Sequence, residues 1–204
     1  MIIHFPSQNI GPRRIKRCFD FFISLFGIIL LIIPLIILIT LATISTGKFG
    51  LYSQERIGLN GKPFTMFKIR SLKGEENASG ITLENDERIT SFGRFLRTYR
   101  LDELPQLLNV FDGSMSLVGP RPDIKGYADQ LRGEDRLMLE VRPGITGPAT
   151  LKYRNEEKIL SQQKDPETYN REVIWKDKVN INVNYVKNWT LKLDLKILFK
   201  TFFN

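Results

Sequence analysis

The feature that most constrains this chain is a long uncharged segment near its start. No charged residue occurs from Phe21 to Thr46, and most of the segment is Ile, Leu or Phe. A helix of this length is longer than the ~30 Å thickness of a bilayer core. A cleaved signal peptide has a shorter apolar region and a small-residue cleavage site, so the segment predicts a helix that stays in a membrane.

The residues themselves leave the path of this helix open. Pro34 lies in the middle of the segment, where it removes a backbone hydrogen bond and favours a kink. Basic residues flank both ends, and the positive-inside tendency would hold both ends in the cytoplasm. These residues are Arg13, Arg14, Lys16 and Arg17 before the segment and Lys48, Arg56, Lys62, Lys68 and Arg70 after it. A straight span with a tolerated kink and a helix that enters and leaves on one side both fit.

Composition narrows the class of protein. The 204 residues suffice for one membrane element and one further domain, and they carry a net charge of +8. This charge predicts an anionic partner, but no nucleic-acid recognition motif is present, so nucleic acid is not expected. Cys18 is the single cysteine and His4 the single histidine, which excludes an intrachain disulfide and argues against a zinc site or a Ser-His-Asp triad.

The rest of the chain predicts a mixed α+β domain. Leu51–Arg56 and Lys62–Arg70 alternate in polarity around Asn60-Gly61, which predicts a β-hairpin. Residues 72–87 predict a surface loop, and Arg88–Tyr99 has helical spacing. We further expect helices at Asp102–Phe111 and Asp123–Leu139, Gly/Pro loops at Ser116–Asp123 and Val141–Gly147, and partly helical structure at 154–180 with a break near Pro166.

The C-terminal segment Trp189–Phe203 has the pattern of a helix that lies in a lipid interface. Lys192, Lys196 and Lys200 recur every four residues. Apolar side chains cover another face, namely Leu191, Leu195, Leu198, Phe199 and Phe202. A core helix with a lysine-bearing solvent face is the alternative, and the membrane segment upstream favours the interfacial interpretation.

Asp102 and Glu103 are the candidate catalytic residues. They are adjacent carboxylates at the start of the second expected helix, where the helix dipole and free amides favour anions. A carboxylate beside a phosphate can attack phosphorus or hold Mg²⁺, and neighbouring side chains on a helix point about 100° apart. The pattern favours two different roles over two identical ones, although acidic residues also cap helices without any catalytic role.

Several cations could serve a phosphorylated substrate near this pair. Lys68 ends a strand, Arg97 precedes the pair, and Arg121 is fixed between Pro120 and Pro122. Arg142 and Arg154 lie in or near loops. A diphosphate requires such cations for binding and for charge stabilisation during phosphoryl transfer. The chain has no GxxxxGK[ST] sequence, which argues against a P-loop enzyme.

Three segments together resemble a known family. SQERIGLNGKPFTMFKIRSL (53–72), TSFGRFLRTYRLDELPQLLNVFDGSMSLVGPRPD (90–123) and VRPGITGPA (141–149) are similar to the bacterial sugar transferases. These are small monotopic phosphoglycosyl transferases that initiate glycoconjugate and exopolysaccharide assembly. The C-terminal YVKNWTLKLDLKILFKT (185–201) is similar as well, so the resemblance covers nearly the whole chain after about residue 12.

The resemblance implies a fold and a location. It implies a re-entrant membrane helix broken at Pro34 within residues 1–48, followed by a small, mostly helical catalytic domain at 49–204 with a β-hairpin and interfacial helices. It also implies that this domain lies on the cytoplasmic face of the bacterial inner membrane.

The resemblance further implies a two-step reaction. The matching Asp102 would attack the β-phosphate of a UDP-sugar and release UMP. Undecaprenyl phosphate, or another polyprenyl phosphate, would then take the phospho-sugar, with Mg²⁺ bound by Glu103. Seven other positions match family residues of the active site or its nucleotide side: Lys68, Arg97, Pro120, Arg121, Pro122, Arg154 and Asp194.

The chain departs from the family pattern in places. Ile33 stands where many members have serine before the proline, and Asn182 replaces a frequent aspartate. The stretch 155–180 is longer than in the smallest members and could influence sugar choice or formation of a homo-oligomer. Two other functions remain as alternatives: a conventional membrane-bound glycosyltransferase that releases UDP, and a non-catalytic basic scaffold at the membrane surface.

Overall fold

The computed structural model describes residues 10–74, 83 and 86–203, with side chains from residue 14 onward. It has eight α-helices and four short strands in these ranges, so the predicted mixed fold with one long apolar helix is confirmed. The start of the N-terminal arm and most of the predicted loop at 72–87 lie outside the described residues.

The first helix, α1 (Ile10–Thr46), contains the uncharged segment. It is the one described helix that is long and apolar enough to cross a membrane. The helix continues through Pro34 without interruption, so the predicted break and re-entry stay predictions. One side of α1 packs on the rest of the chain through Leu35 and Ala42, while the other side exposes large apolar residues that include Phe22, Phe26, Ile29, Ile33 and Ile44.

The predicted β-hairpin is confirmed. Strand β1 (Leu51–Ile57) pairs antiparallel with β2 (Pro63–Ile69). The connection contains Asn60 at φ 59° and Gly61 at φ 76°, a left-handed backbone that Asn and Gly adopt most readily. Ile69 at the end of β2 packs against Leu35 and Leu96, which joins the hairpin to α1.

The next two predicted helices are present with one change of boundary. Helix α2 (Ser91–Thr98) is capped by the Thr90 hydroxyl, which accepts from the Gly93 amide. The predicted helix Asp102–Phe111 is divided into a turn of 3-10 helix (Leu101–Glu103) and α3 (Gln106–Asp112). Pro105 has no N–H to donate to the carbonyl of Leu101, so a continuous α-helix cannot form there. The carboxylate pair therefore lies in its own turn, not at the start of an α-helix.

Two predicted loops contain a short parallel sheet. Strand β3 (Ser116–Val118) pairs with β4 (Gly144–Thr146), so the expectation of loop throughout Ser116–Asp123 and Val141–Gly147 is wrong for these residues. The two backbones approach closely beyond the strands. A Cβ on Gly119 would lie 2.5 Å from the carbonyl oxygen of Arg142, so only glycine fits at that position.

The predicted helix Asp123–Leu139 is wrong. Only two 3-10 segments form there, Ala128–Gln130 and Gly133–Glu140. Gly126 and Gly133 have φ angles of 101° and 57°, which interrupt a right-handed helix.

Five further helices follow β4 in the described part of the chain. They are α4 (Pro148–Lys152), α5 (Glu156–Ser161), α6 (Pro166–Tyr169), α7 (Trp175–Lys187) and α8 (Leu191–Phe203), with a π-helical segment at Asn170–Ile174 before α7. Among them, α8 contacts both β3 and β4. The predicted break near Pro166 is confirmed, because Pro166 begins α6 and Asp165 caps it. Helix α8 buries Ile197 and exposes Leu195, Phe199 and Phe202, so the predicted amphipathic helix is present.

Candidate active site

The 3-10 turn Leu101–Glu103, called the carboxylate turn below, is preceded by a residue with an uncommon backbone conformation. Arg100 has φ 54° and ψ 25°, the left-handed region, at the end of α2. This conformation reverses the chain into the turn that carries Asp102 and Glu103. Non-glycine residues are uncommon there, and such strain is often found at functional sites. Arg100 thus sets the direction of the carboxylate pair, a role that its place in the sequence did not reveal.

Glu103 is a buried carboxylate with a fixed partner. Its Oε1 accepts a 2.6 Å hydrogen bond from Nη2 of Arg121. Burial acts to raise the pKa of Glu103, but Arg121 and Lys68 outweigh burial and hold this pKa below its usual value. Glu103 in turn raises the pKa of Arg121. Both groups therefore stay charged at neutral pH.

Arg121 is held by its two neighbours in the chain. Pro120 and Pro122 are both buried, and they pack in a crevice with Ile57 and Leu139. Each proline ring fixes its own φ, so the backbone on both sides of Arg121 has little freedom. This loop directly follows β3, and the hydrogen bond from Arg121 to Glu103 shows that it lies beside the carboxylate turn.

Asp102 differs from its neighbour in having no direct partner. Among the described residues, no hydrogen bond or ion pair engages its carboxylate, which is partly exposed. Burial and the nearby Glu103 raise the pKa of Asp102 to about 6, against the opposing effect of Lys68 and Arg97. A carboxylate that is ionised at neutral pH, surrounded by cations and not engaged by any of them, is available to a substrate.

Lys68 supplies a cation from the hairpin. It lies near the end of β2, with Tyr52 opposite in the register. Burial lowers the pKa of Lys68 to about 8, and Arg121 and Arg56 add to that effect, while Glu103 and Asp102 oppose it. Lys68 is therefore mostly charged at neutral pH and loses its charge in mildly alkaline solution.

Arg97 approaches the site from α2 but already has an acidic partner. Its Nη2 pairs with Oε1 of Glu157 in α5, and its Nη1 lies 3.4 Å from the Ser71 hydroxyl. Arg97 also lowers the pKa of Asp102. Arg97 thus lies between Asp102 and an acidic residue of the stretch 155–180, and it is paired with the latter.

Arg154 lies at the edge of the site. Its Nη2 donates to the carbonyl of Thr201 in α8 (3.0 Å), and its own carbonyl accepts from Nη2 of Arg100 (3.2 Å). It therefore links the carboxylate turn to the C-terminal helix through Arg100.

Asp194 lies in a separate buried cluster, where Lys16, Tyr185 and Trp189 donate to it. The Lys16 Nζ is 2.5 Å from Oδ2, the Tyr185 hydroxyl 2.7 Å from Oδ1 and the Trp189 Nε1 3.0 Å from Oδ2. The contacts of Asp194 join α1, α7 and α8, and they do not include the carboxylate turn.

The structure thus brings together Lys68, Arg97, Asp102, Glu103 and Arg121, with Pro120 and Pro122 as supports. Sequence reasoning missed Arg100, Glu157 and Asp123 as members of the surroundings. Asp123 directly follows Pro122, and burial raises its pKa despite Lys178 and Arg56. In the sequence, the position of Asp123 beside Pro120-Arg121-Pro122 is the one signal that could have indicated its place near the site. The pairing of Glu157 with Arg97 spans distant parts of the chain and left no sequence signal.

The arrangement suits a diphosphate ester. Three cations from three different segments surround an unpartnered carboxylate, and a second carboxylate is held by an arginine. Cations bind phosphate oxygens and stabilise charge in phosphoryl transfer, and a free carboxylate is a nucleophile.

Comparison with known proteins agrees with this chemistry. Residues 11–204 match the family described as bacterial sugar transferase. The chain is 39% identical over 186 residues to the uncharacterized sugar transferase EpsL of Bacillus subtilis (strain 168), a match that covers 90% of this chain and 83% of the relative.

Two further relatives have names that state a reaction. The UDP-glucose:undecaprenyl-phosphate glucose-1-phosphate transferase of Escherichia coli (strain K12) is 37% identical over 198 residues, which is 94% of this chain and 40% of the relative. The undecaprenyl-phosphate galactose phosphotransferase of Salmonella typhimurium (strain LT2) is 34% identical over 208 residues, again 94% of this chain and 40% of the relative. The chain thus spans less than half the length of these two proteins.

Proposed function

The chain belongs to the bacterial sugar transferase family, and from this we propose that it is a phosphoglycosyl transferase that moves a sugar-1-phosphate from a UDP-sugar to a polyprenyl phosphate and releases UMP. The names of its relatives support the two substrates, with undecaprenyl phosphate as the acceptor. The observation that carries the proposal is the difference between Asp102, which has no partner in the described structure, and Glu103, which Arg121 holds.

In the first step, an ionised Oδ of Asp102 attacks the β-phosphorus of the UDP-sugar. A bond forms between Asp102 and this phosphorus, the bond to the oxygen bridging the two phosphates breaks, and UMP leaves with the electron pair. Lys68, Arg97 and Arg121 offset the negative charge of the diphosphate. The phospho-sugar stays on Asp102 as a mixed anhydride.

In the second step, a phosphate oxygen of the polyprenyl phosphate attacks the same phosphorus. The bond to Asp102 breaks, the carboxylate is regenerated, and the product is a polyprenyl diphosphate sugar. No external base is needed, because the attacking oxygen is already ionised at neutral pH. The cations that bound the first diphosphate are in position for the second one.

We propose that Glu103 would hold Mg²⁺, which would supply positive charge to the substrate phosphates when bound. Mg²⁺ prefers oxygen ligands and is often held by one or two carboxylates together with substrate phosphates. Glu103 offers such an oxygen beside the one that Arg121 engages, and the described residues contain no cluster of three acidic, His or Cys side chains that would build a complete protein cage. The donor set thus fits a metal shared with the substrate, which would neutralise phosphate charge.

We propose that α1 is re-entrant and that the catalytic domain lies on the cytoplasmic face of the bacterial membrane. Lys16 near the start of α1 pairs with Asp194, and Ser45 near its end donates 2.8 Å to the Thr90 hydroxyl. Because both ends contact the same domain, these contacts favour a helix with both ends on one side of the membrane over one that crosses it. The exposed apolar side of α1 would face lipid.

Labelling of cysteines tests this topology. Cys18 is exposed near the start of α1, and Lys48→Cys in a Cys18→Ser background would report on its end. In sealed inverted membrane vesicles, we expect a membrane-impermeant maleimide to label both sites. Label at one site alone would support a straight span.

The nucleotide product tests the reaction. Purified protein with Mg²⁺, undecaprenyl phosphate and a panel of UDP-sugars should release UMP with at least one sugar. Radiolabelled UMP should also exchange into that UDP-sugar without acceptor, because a covalent intermediate is reversible. Release of UDP would indicate conventional glycosyl transfer, and turnover without exchange would indicate direct transfer.

A further inference from the structure

A groove runs between α4 and α8, outside the cluster around Asp102. Its volume is about 440 Å³. Leu151 of α4 and Leu193 and Ile197 of α8 provide apolar wall, and Arg154, Lys196 and Lys200 provide positive charge. A hydrocarbon chain and a phosphate group could each find complementary surface in this groove.

Two of the cations that line this groove form no ion pair within the described structure. Lys152 also borders it but pairs with Asp177 at 2.6 Å. Lys196 and Lys200 lie one turn apart on α8, are exposed, and have no acidic partner among the described residues. Lysine ammonium groups bind phosphate as point charges, while their alkyl stems lie against apolar surface.

The position of the groove connects lipid with the candidate active site. Arg154 lines the groove, and its carbonyl accepts from Arg100, which lies two residues before Asp102. On α8, the lysines that line the groove neighbour the exposed apolar residues Leu195 and Phe199. A ligand with a phosphate and a long apolar tail could thus keep its tail in lipid and its phosphate beside Arg154, whose carbonyl is bonded to the residue that precedes the carboxylate turn.

We propose that this groove binds the phosphate end of the polyprenyl phosphate acceptor, and that Lys196 and Lys200 are acceptor-binding residues. The inference rests on the proposed function and adds to it a location for the second substrate. A phosphate monoester favours this site over a phospholipid head group, because it carries more negative charge toward the two lysines and has the free oxygen that the second step requires.

The double substitution Lys196→Ala with Lys200→Ala separates the two half-reactions. We expect the KM for undecaprenyl phosphate to rise about tenfold, the loss of roughly 1.4 kcal/mol that weakened ionic contacts would give. The KM for the UDP-sugar and the rate of UMP exchange without acceptor should stay within about twofold of wild type. An intact exchange reaction also shows that the variant is folded.

Lys192→Ala is the matched control. Lys192 is exposed on the same helix and does not line the groove. It is compared with the single variants Lys196→Ala and Lys200→Ala. If Lys192→Ala raises the acceptor KM as much as either of them, the lysines attach α8 to anionic lipid in general and the groove proposal is wrong. A rise in the KM for the UDP-sugar in the double variant would assign the groove to the donor, which also overturns the proposal.

Direct binding keeps the two proposals distinguishable. In nanodiscs we expect undecaprenyl phosphate to bind wild type more tightly than the double variant, while binding of phosphatidylglycerol is equal in both. If the double variant binds undecaprenyl phosphate as tightly as wild type and UMP exchange is normal, the groove proposal is wrong and the proposed function still stands. If binding of undecaprenyl phosphate depends on the two lysines but no UMP is exchanged or released, the proposed covalent reaction is wrong and the groove proposal still stands.

Discussion

Arg121 and Glu103 form a 2.6 Å ion pair that joins the proline-bracketed loop to the carboxylate turn. The pair commits one of two adjacent carboxylates to a structural partner and leaves Asp102 without one. Two chemically similar neighbours thereby have different surroundings, which raise the pKa of Asp102 and lower the pKa of Glu103.

Substitution of Asp102 should remove the nucleophile. We expect Asp102→Asn to lower UMP release by roughly 10³-fold or more, since an amide cannot form the mixed anhydride. Mass spectrometry of wild type quenched during turnover should find a phospho-sugar adduct that is absent from the variant. An adduct on any other residue would contradict the assignment of the nucleophile.

Substitution of Glu103 should weaken the binding of Mg²⁺ that activity requires. In Glu103→Gln we expect the Mg²⁺ concentration for half-maximal activity to rise about tenfold, because a carboxylate oxygen is lost. Chelation with EDTA should stop wild-type turnover, and added Mg²⁺ should restore it. An unchanged Mg²⁺ requirement in the variant, with reduced turnover, would limit Glu103 to holding Arg121.

Arg121→Ala should lower kcat more than Arg121→Lys does. We expect Arg121→Ala to lower kcat by about 100-fold, through loss of transition-state stabilisation and of the partner of Glu103. Arg121→Lys keeps the charge but not the planar guanidinium, so it should recover part of the activity. Full activity in Arg121→Lys would show that charge alone matters at this position.

The pH profile of the first half-reaction should be bell-shaped. Asp102 must be ionised to attack and has a pKa of about 6, so the rate rises as pH increases through that value. Lys68 has a pKa of about 8, so the rate falls as pH increases further and the ammonium is lost.

UMP release in a single turnover without acceptor measures this profile free of acceptor titration. Lys68→Arg is the control, because its guanidinium stays charged and the alkaline decline should disappear. A wild-type rate that does not change between about pH 5 and pH 10 would contradict both assignments.

Local chemistry explains which parts of the fold the sequence predicted. Asn60-Gly61 favours a left-handed turn, and the hairpin around it was predicted. The helix at Leu191–Phe203 was readable because its lysines and apolar residues follow helical spacing. Both signals lie within one element and need no information about its neighbours.

Non-local contacts explain what was missed. Strands β3 and β4 have three residues each and pair across a long stretch of chain, so neither carries a strand pattern of its own. The wrong prediction at Asp123–Leu139 has a local cause instead, because the left-handed backbone of Gly126 and Gly133 interrupts a segment whose other residue types are compatible with a helix. In the site, the Asp102-Glu103 pair was evident, but the partner that distinguishes its two members comes from Arg121 in another loop.

The pairing of Arg97 with Glu157 leads to a prediction about donor affinity. Arg97 must share or release this acidic partner when it contacts a diphosphate. A partly exposed ion pair contributes about 0.2–1 kcal/mol. We therefore expect Glu157→Gln to lower the KM for the UDP-sugar by up to about fivefold, with little change in kcat.

Glu167→Gln, which changes an exposed acid with no partner in the described structure, is the charge-matched control and should leave the KM unchanged. A higher KM in Glu157→Gln alone would instead mean that Glu157 orients Arg97 for the donor, and the pair would then be part of the binding geometry.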